Sequence, residues 1–205
     1  MLFRSPKIEV DARKMECPKP VIMTKKELDK IGSGTIVTIV DNEVAKENVS
    51  KLAGSLGLPY SVDKINDNEF YINIIKGEEE TLNENPQVVP ERLKDLVVAI
   101  SSDTMGKGEE ELGKILIKSF IYTVSESSPY PSCMVFYNRG VFLTIEDSPV
   151  LEDLKKLADK GVEIISCGTC LDYYHLKEKL GVGNISNMYT IYEKLSDSKN
   201  NITIG

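Results

Sequence analysis

The residues of this sequence best suited to covalent chemistry are its four cysteines, Cys17, Cys133, Cys167 and Cys170. Cys17 opens the stretch Cys-Pro-Lys-Pro, and Cys167 and Cys170 form a Cys-x-x-Cys pair. The thiolate of cysteine is a nucleophile that exchanges sulfur through mixed disulfides. Structural disulfides are rare in the reducing cytosol, where we expect this chain to be. The four thiols are therefore candidates for packing, metal binding or reaction.

The Cys-Pro-Lys-Pro stretch joins a thiol to the start of a predicted helix. Apolar residues at helical spacing over 18–31 predict that helix. Proline in the first turn lacks only an N–H that would be unpaired anyway, so Pro18 and Pro20 mark the helix start. Cys17 then lies at the positive end of the helix, beside Lys19, where a thiolate is favoured. The alternative is a small hydrophobic residue near a helix start, but the context favours a reactive thiol.

The Cys-x-x-Cys pair lies between a predicted strand, "VEIIS", and a predicted helix, "LDYYHLKEKL". Such a pair can form a disulfide and depress the pKa of one thiol. Zinc would need two further ligands. Cys133 starts a different strand and His175 lies off the helical face of Cys170, so we expect no metal. Two interpretations stay open: buried thiols at a strand–helix turn, and the reactive dithiol or persulfide chemistry that we favour.

Four other features carry no predicted chemistry. Cys133, beside Met134 on a strand, is expected in the core. His175, the only histidine, is expected at the surface or in packing. The segment 108–115, "GEEELGKI", matches Gly-x4-Gly-Lys but has isoleucine in place of the Ser or Thr that would hold magnesium. The loop "SDTMGKG" before it is expected to be a simple strand-to-helix connection.

Charge and hydropathy narrow the class of protein. The 205 residues carry a net charge of −7, with a sequence pI near 5.0. Nucleic-acid binders show a basic face or stripe, and none is visible, so we expect no direct nucleic-acid contact. No apolar run approaches the roughly 20 residues that span a bilayer. The start, "MLFRSPKIEV", is too short in apolar residues for a signal peptide, so a cytoplasmic protein without membrane contact is expected.

Two patterned segments flank an acidic one. Residues 1–76 read β-α-β-α-β-β, which predicts a two-layer α/β sandwich. Residues 77–93, rich in Glu, Pro and Asn, predict a linker. Residues 94–205 alternate strands and helices, which predicts a three-layer α/β domain with a mostly parallel sheet and a site at the carboxyl ends of its strands.

Two helices of the last segment have specific signals. A stripe with spacing of four predicts one helical face made of Leu112, Leu116, Phe120 and Val124, with Ile115 beside it. Ser148 and Pro149 form a predicted cap and first residue of the next helix. No element is assigned after residue 180.

Residues 8–75 resemble the TusA/SirA family of small sulfur carriers. The resemblance rests on "DAR" at 11–13, "CPKP" at 17–20, the order β-α-β-α-β-β and a Gly-rich turn after the first helix. It implies that Cys17 carries a persulfide and passes on its outer sulfur, with Pro18 and Pro20 as structural prolines. Lys19 and Arg13 are expected to support that site. "KME" stands where the family commonly has Gly-Leu.

Residues from about 95 to 205 resemble the DsrE/DsrF-like family. The resemblance rests on "DTMGKGEEELGKILIKSF", "VFYNRGV", "LKKLADKGVEIISCGTC" and "VGNISNMYTIYEKL". It implies an acceptor cysteine at Cys167 or Cys170, supported by Gly168, and assembly as a homo-oligomer (dimer, trimer or hexamer). The order of the two domains resembles the YedF-like family, which is associated with selenium metabolism.

The predicted function is a relay that moves persulfide sulfur, or selenium, between Cys17 and a cysteine of the second domain. The expected partners are a cysteine desulfurase or other persulfide donor and a downstream acceptor protein, in selenium metabolism or in tRNA thiolation or selenation. No cofactor is needed. One alternative is a non-catalytic oligomeric module that senses redox state or regulates a partner, and another is a dithiol reductase.

Overall fold

The computed structural model describes residues 6–77 and 93–205. Two compact units divide at Gln87 and Val88. Apart from Gly77 and Leu93, the predicted linker lies outside the described residues, so the division into residues 1–76, 77–93 and 94–205 stays a prediction.

The first unit follows the predicted order of elements. Its sheet has the order β1-β2-β4-β3, with β1 parallel to β2 and the other neighbours antiparallel. The elements are β1 (Lys7–Asp11), α1 (Lys19–Lys30), β2 (Gly34–Val40), α2 (Glu43–Ser55), β3 (Tyr60–Asn66) and β4 (Glu69–Lys76).

Both helices of this unit pack on one face of the sheet. Ile36 and Val40 of β2 and Ile72 of β4 are fully buried against Leu28 of α1 and Val49 of α2. β-Branched residues suit a central strand that is covered in this way. The two-layer sandwich is therefore confirmed.

The second unit has a five-stranded sheet of order β8-β7-β6-β5-β9, in which every pairing within the described part is parallel. Two 3-10 turns, Asn138–Leu143 and Lys177–Lys179, interrupt the alternation. The elements are β5 (Lys94–Ile100), α3 (Glu110–Glu126), β6 (Pro131–Phe136), α4 (Leu151–Asp159), β7 (Glu163–Cys167), α5 (Gly168–Tyr173), β8 (Asn184–Ser186), α6 (Met188–Asp197) and β9 (Asn200–Ile204).

Helices cover both faces of this sheet, so the three-layer prediction is confirmed. On one face, Ile117 of α3 and Leu154 of α4 pack with Met134. On the other, Ile191 of α6 packs with Val135. Within the described residues, no helix is long and apolar enough to cross a membrane.

The apolar stripe predicted on α3 is only partly buried. Leu112, Ile115 and Leu116 are 53%, 61% and 41% exposed, whereas Gly113 and Ile117 face the core. A Cβ on Gly113 would lie 2.9 Å from Thr104 Cβ, so the backbone of α3 approaches its neighbour closely. A search of the sequence for evenly spaced large apolar residues misses this face of α3, because a glycine, Gly113, makes the close contact.

Two further local predictions are wrong. The fourth helix begins at Leu151, because Ser148 Oγ accepts a hydrogen bond from the Val150 amide (3.3 Å) in a turn before it. The helix predicted after the Cys-x-x-Cys pair ends at Tyr173, and His175 takes a left-handed conformation (φ 56°). The chain then forms a 3-10 turn instead of a continuous helix.

Candidate thiol sites

The loop between β1 and α1 is attached to β2 and the residue after it by backbone donors. The Ala12 amide donates to the Ile39 carbonyl (2.9 Å), and the Lys14 amide donates to Asp41 Oδ2 (2.7 Å). That second bond lowers the pKa of the Asp41 carboxyl. These bonds hold the loop in one conformation over the end of β2.

Cys17 stands immediately before the first helix. α1 begins at Lys19, one residue later than the prolines predict, with Pro18 as its cap and Pro20 in its first turn. The Pro18 carbonyl accepts the Ile22 amide (3.1 Å). Pro20 is buried and Lys19 is exposed. The positive end of this twelve-residue helix therefore lies next to the sulfur, although Pro18 and Pro20 have no N–H and the Lys19 amide donates to the Glu16 carbonyl (2.9 Å).

The Cys17 thiol is exposed and opens into a cleft of about 370 Å³. The apolar side chains of Met15 and Val44, 39% and 64% exposed, belong to its lining. Asn48 of α2 points its amide at the thiol, with 3.9 Å from Nδ2 to Sγ. A thiolate at this position gains a polar donor from a second helix. No sequence pattern predicts this contact, since Asn48 is 31 residues from the cysteine.

Arg13, in the same loop, forms ion pairs with residues of two strands of the first sheet. Its guanidinium pairs with Asp11 (2.6 Å from Nη2 to Oδ2) and reaches Glu69 of β4 (3.5 Å). The hydrogen bonds from Arg13 lower the pKa of Asp11 to about 2. These contacts give Arg13 a structural role in linking β1 to β4.

The second thiol site lies at the carboxyl ends of β6 and β7. Cys167 is the last residue of β7 and is 1% exposed, while Cys170 is the third residue of α5 and is half-buried. Cys170 packs against the apolar cluster that contains Cys167. The structure thus brings the predicted pair together, with one sulfur inside and one reaching the surface.

Asn138, directly after β6, completes the surroundings of Cys170. Its backbone amide donates to Cys170 Sγ (3.0 Å), and its side chain accepts from the Tyr174 hydroxyl (3.2 Å). Burial raises the pKa of the Cys170 thiol, the hydrogen bond with Cys167 raises it further, and the Asn138 amide opposes both. Asn138 was not found from the sequence either, because the contact spans 32 residues.

The turn that carries Asn138 is anchored at two points. Gly140 approaches β5 so closely that a Cβ would lie 2.1 Å from the Ile100 carbonyl oxygen. The buried hydroxyls of Thr144 and Ser166 are hydrogen-bonded (2.9 Å), which ties the turn to β7 one residue before Cys167.

Close packing also explains Gly168. A Cβ there would lie 3.0 Å from Ile185 Cγ2 and 3.3 Å from the Ser186 carbonyl oxygen, both on β8. Gly168 therefore lets α5 start against that strand.

Cys133 is a core residue, as expected. It is 2% exposed, and burial raises its pKa to about 12. It lies opposite Glu163 in the sheet, four residues and about 13 Å along β7 from Cys167. His175 is exposed. Within residues 6–77 and 93–205, no three His, Cys, Asp or Glu side chains cluster as metal ligands.

Two family models match the chain. The model described as sulfurtransferase TusA matches residues 8–76, and that of the DsrE/DsrF-like family matches residues 116–204. Among curated proteins, none matches.

Two solved structures are similar to parts of the chain. A SirA-like protein from Desulfitobacterium hafniense is 30% identical, over 35% of this chain and 99% of its own length, with a TM-score of 0.33. A protein of unknown function from Methanobacterium thermoautotrophicum is 21% identical, over 53% of this chain and 96% of its own, with a TM-score of 0.40.

The two matched segments coincide with the two thiol sites, Cys17 in the first and the Cys167–Cys170 pair in the second. Both families are associated with sulfur carriage and transfer, which supports a sulfur-relay role. The chain belongs to the TusA family through residues 8–76, and this segment is followed by a DsrE/DsrF-like domain over residues 116–204.

Proposed function

We propose that the protein is a persulfide relay in which Cys17 is the carrier and Cys170 is the acceptor of the second unit. The observation that carries the proposal is the position of Cys17: exposed, on a hydrogen-bonded loop, and directly before the first turn of α1. The Asn48 amide places a polar donor 3.9 Å from the Cys17 sulfur.

Loading follows from the chemistry of thiol exchange. The Cys17 thiolate attacks the outer sulfur of a donor persulfide, a new S–S bond forms, and the donor cysteine leaves as its thiolate. The donor is a cysteine desulfurase or another protein persulfide. The apolar side chains of Met15 and Val44 around the cleft suit contact with such a protein. No organic cofactor or metal takes part in this exchange.

Cys170 is the better acceptor of the second pair because its sulfur is accessible. Cys167 is 1% exposed, so an incoming persulfide has no approach to it without local opening. The Asn138 amide, 3.0 Å from Cys170 Sγ, stabilises negative charge on that sulfur.

Three finer assignments belong to the same proposal. The cargo is sulfur or selenium, and the downstream acceptor serves selenium metabolism or tRNA thiolation or selenation. The protein acts in the cytoplasm. We also propose a homo-oligomer through the second unit, supported by the exposed apolar side chains of Leu112, Ile115 and Leu116 on α3.

The test is sulfur loading followed by intact mass. Wild type incubated with a cysteine desulfurase and cysteine is expected to gain the mass of one sulfur atom, and Cys17→Ser is expected to gain none. Cys133→Ser is the matched control, since it removes a buried thiol outside both sites. Selenocysteine in place of cysteine tests the choice of cargo. Equal loading of Cys17→Ser and wild type would refute the carrier role.

Redox sensing without sulfur transfer is the competing function. It predicts no sulfur adduct on any variant, and a Cys17→Ser protein that still binds its partner with full affinity. Loading and binding measured on the same two proteins therefore separate the two functions.

A further inference from the structure

The second thiol site has a feature that the first lacks: a second cysteine in contact with the accessible one. Cys170 packs against the apolar cluster that contains Cys167, three residues before it at the same strand–helix junction. Cys17 is the only cysteine of the first 132 residues. A persulfide on Cys170 is thus formed beside another thiol, whereas one on Cys17 has no such neighbour in its own unit.

The burial of the two sulfurs decides which atom Cys167 can attack. Cys167 is almost completely buried, and Cys170 packs beside it. Cys170 Sγ is the sulfur that becomes the inner atom of a persulfide. The outer atom is one S–S bond, about 2 Å, beyond it. Attack by an external thiolate on the outer atom transfers the sulfur to a partner. Attack by Cys167 is directed at the inner atom instead.

We propose that the second unit reductively releases the carried sulfur as hydrosulfide, through attack of Cys167 on the inner sulfur of a Cys170 persulfide. The proposal rests on the proposed function for the loading of Cys170. It makes the second unit the place where a protein-bound persulfide is converted into a free anion.

The reaction balances without a further co-reactant in the first turnover. The outer sulfur of the Cys170 persulfide anion takes the proton of Cys167, and the Cys167 thiolate attacks Cys170 Sγ, forming the Cys167–Cys170 disulfide. The bond between Cys170 Sγ and the outer sulfur breaks, and the outer sulfur leaves with the electron pair as hydrosulfide. The outer sulfur is reduced by two electrons, which the two cysteines supply. A dithiol reductant returns the disulfide to two thiols. A selenium atom in the outer position leaves as hydroselenide by the same steps.

The neighbouring contacts fit this direction of attack. The Asn138 amide donates to Cys170 Sγ (3.0 Å), and the Thr144–Ser166 hydrogen bond fixes the residue before Cys167. Gly168 packs against β8, so the start of α5 is fixed as well. These contacts therefore fix the strand–helix junction and hold the two sulfurs next to each other. Cys-x-x-Cys pairs form disulfides at this short spacing.

The experiment measures hydrosulfide and disulfide together in the full chain. Reduced protein is loaded by two routes, a cysteine desulfurase with cysteine, or sodium polysulfide, and is then desalted. Hydrosulfide is trapped with monobromobimane, and the protein is quenched with N-ethylmaleimide for mass analysis. Wild type is expected to release one hydrosulfide for each Cys167–Cys170 disulfide formed. Cys133→Ser is the control and should match wild type.

Variants of the pair then separate release from loading. Cys167→Ser and Cys167→Ala are expected to accumulate the persulfide on Cys170 and to release no more hydrosulfide than Cys170→Ser. Thermal unfolding of each variant shows whether it is folded, and the disulfide in wild type is an independent readout that needs no variant.

Two results would overturn the proposal: hydrosulfide release by the Cys167 variants at the wild-type rate, or a Cys170 persulfide in wild type that persists without disulfide. Failure of the relay looks different. In that case the desulfurase loads neither Cys17 nor Cys170, while polysulfide still loads Cys170 and its release can still be measured.

Discussion

Cys17 and Cys167 both lie between a strand and a helix, Cys17 in the loop after β1 and Cys167 as the last residue of β7. Their surroundings differ. Cys17 is exposed and faces the Asn48 amide, while Cys167 is buried against Cys170. The same local sequence of elements can therefore present a sulfur to a partner or hold it inside. What decides between these outcomes is the neighbour that tertiary packing supplies.

Both sites also have a buried pair of hydrogen-bonded hydroxyl groups nearby, which no sequence pattern predicts. Thr24 of α1 and Thr38 of β2 form a buried hydroxyl pair (2.8 Å), as Thr144 and Ser166 do in the second unit (2.9 Å). In the first unit the pair joins α1, the helix that follows Cys17, to β2. In the second unit it joins the turn after β6 to β7, the strand that ends at Cys167. The difference between the sites thus lies at the sulfur and not in the scaffold beneath it.

The largest expected effect is a difference in accessibility. Under native reducing conditions, N-ethylmaleimide should modify Cys17 first and Cys170 more slowly. Cys133 and Cys167 should react at least about 10³-fold more slowly than Cys17, because buried thiols react only in rare open states. Time-resolved peptide mass mapping gives all four rates in one sample.

Denatured protein is the control for intrinsic thiol reactivity, since all four cysteines should then react at similar rates. A native Cys167 that reacts as fast as Cys170 would contradict the contrast between the two sulfurs of the pair.

A second prediction concerns the hydroxyl pairs. Thr24 donates to the Pro20 carbonyl (2.8 Å), so Thr38 donates to Thr24, and Thr24→Val leaves the buried Thr38 hydroxyl without this acceptor. We expect a loss of about 1–3 kcal/mol in the free energy of unfolding of the first unit. Urea unfolding, followed by a probe of each unit, measures it.

The matched control is the double variant Thr24→Val/Thr38→Val, which removes both hydroxyls. It should cost less than the sum of the two single variants, since no polar group is then stranded. Strict additivity would show that the hydroxyls do not depend on each other.

The third prediction uses the Cys167–Cys170 hydrogen bond. Because that bond raises the pKa of Cys170, Cys167→Ala should lower it, so that the thiolate appears at lower pH. On the rising part of the profile, alkylation of Cys170 by iodoacetamide should accelerate by about 2- to 10-fold. The rate is measured against pH with excess phosphine reductant.

Cys133→Ala serves as the control for loss of a buried thiol, and its Cys170 profile should match that of wild type. An unchanged or slower Cys170 in the Cys167→Ala protein would mean that burial alone raises the pKa.

Local signals explain which parts of these sites could be predicted. Pro18 and Pro20 mark the start of α1 to within one residue, since proline acts on the turn that contains it. The β-branched run of β2 and the strand before Cys167 were likewise recognisable from their own residues. The order of elements up to β7 followed from these signals.

Contacts between distant residues explain the rest. Asn48 and Asn138 reach their sulfurs across 31 and 32 residues, and no periodicity encodes such a pairing. The buried face of α3 was misjudged because Gly113 makes the close approach there. His175, in a left-handed conformation, follows the end of the helix that carries Cys170, and a histidine in the sequence does not predict such an end.

The smallest expected effect concerns the side-chain donor that Asn48 supplies to Cys17. Asn48→Asp keeps the shape of the side chain but replaces the amide donor, 3.9 Å from Cys17 Sγ, by a carboxylate. Alkylation of Cys17 at neutral pH should slow by about twofold, since the long contact is worth less than an ordinary hydrogen bond. Iodoacetamide kinetics on folded protein measure the change.

Asn48→Ala separates the two changes that Asn48→Asp combines, loss of the amide donor and gain of a negative charge. It removes the donor without adding a charge, so its rate should fall between those of wild type and Asn48→Asp. High salt should reduce the difference in Cys17 alkylation rate between Asn48→Asp and Asn48→Ala, because it screens the carboxylate at this half-exposed position. If Asn48→Ala reacts as fast as wild type, the Asn48 amide contributes nothing to the reactivity of Cys17, and the exposure of Cys17 distinguishes this site from the paired one.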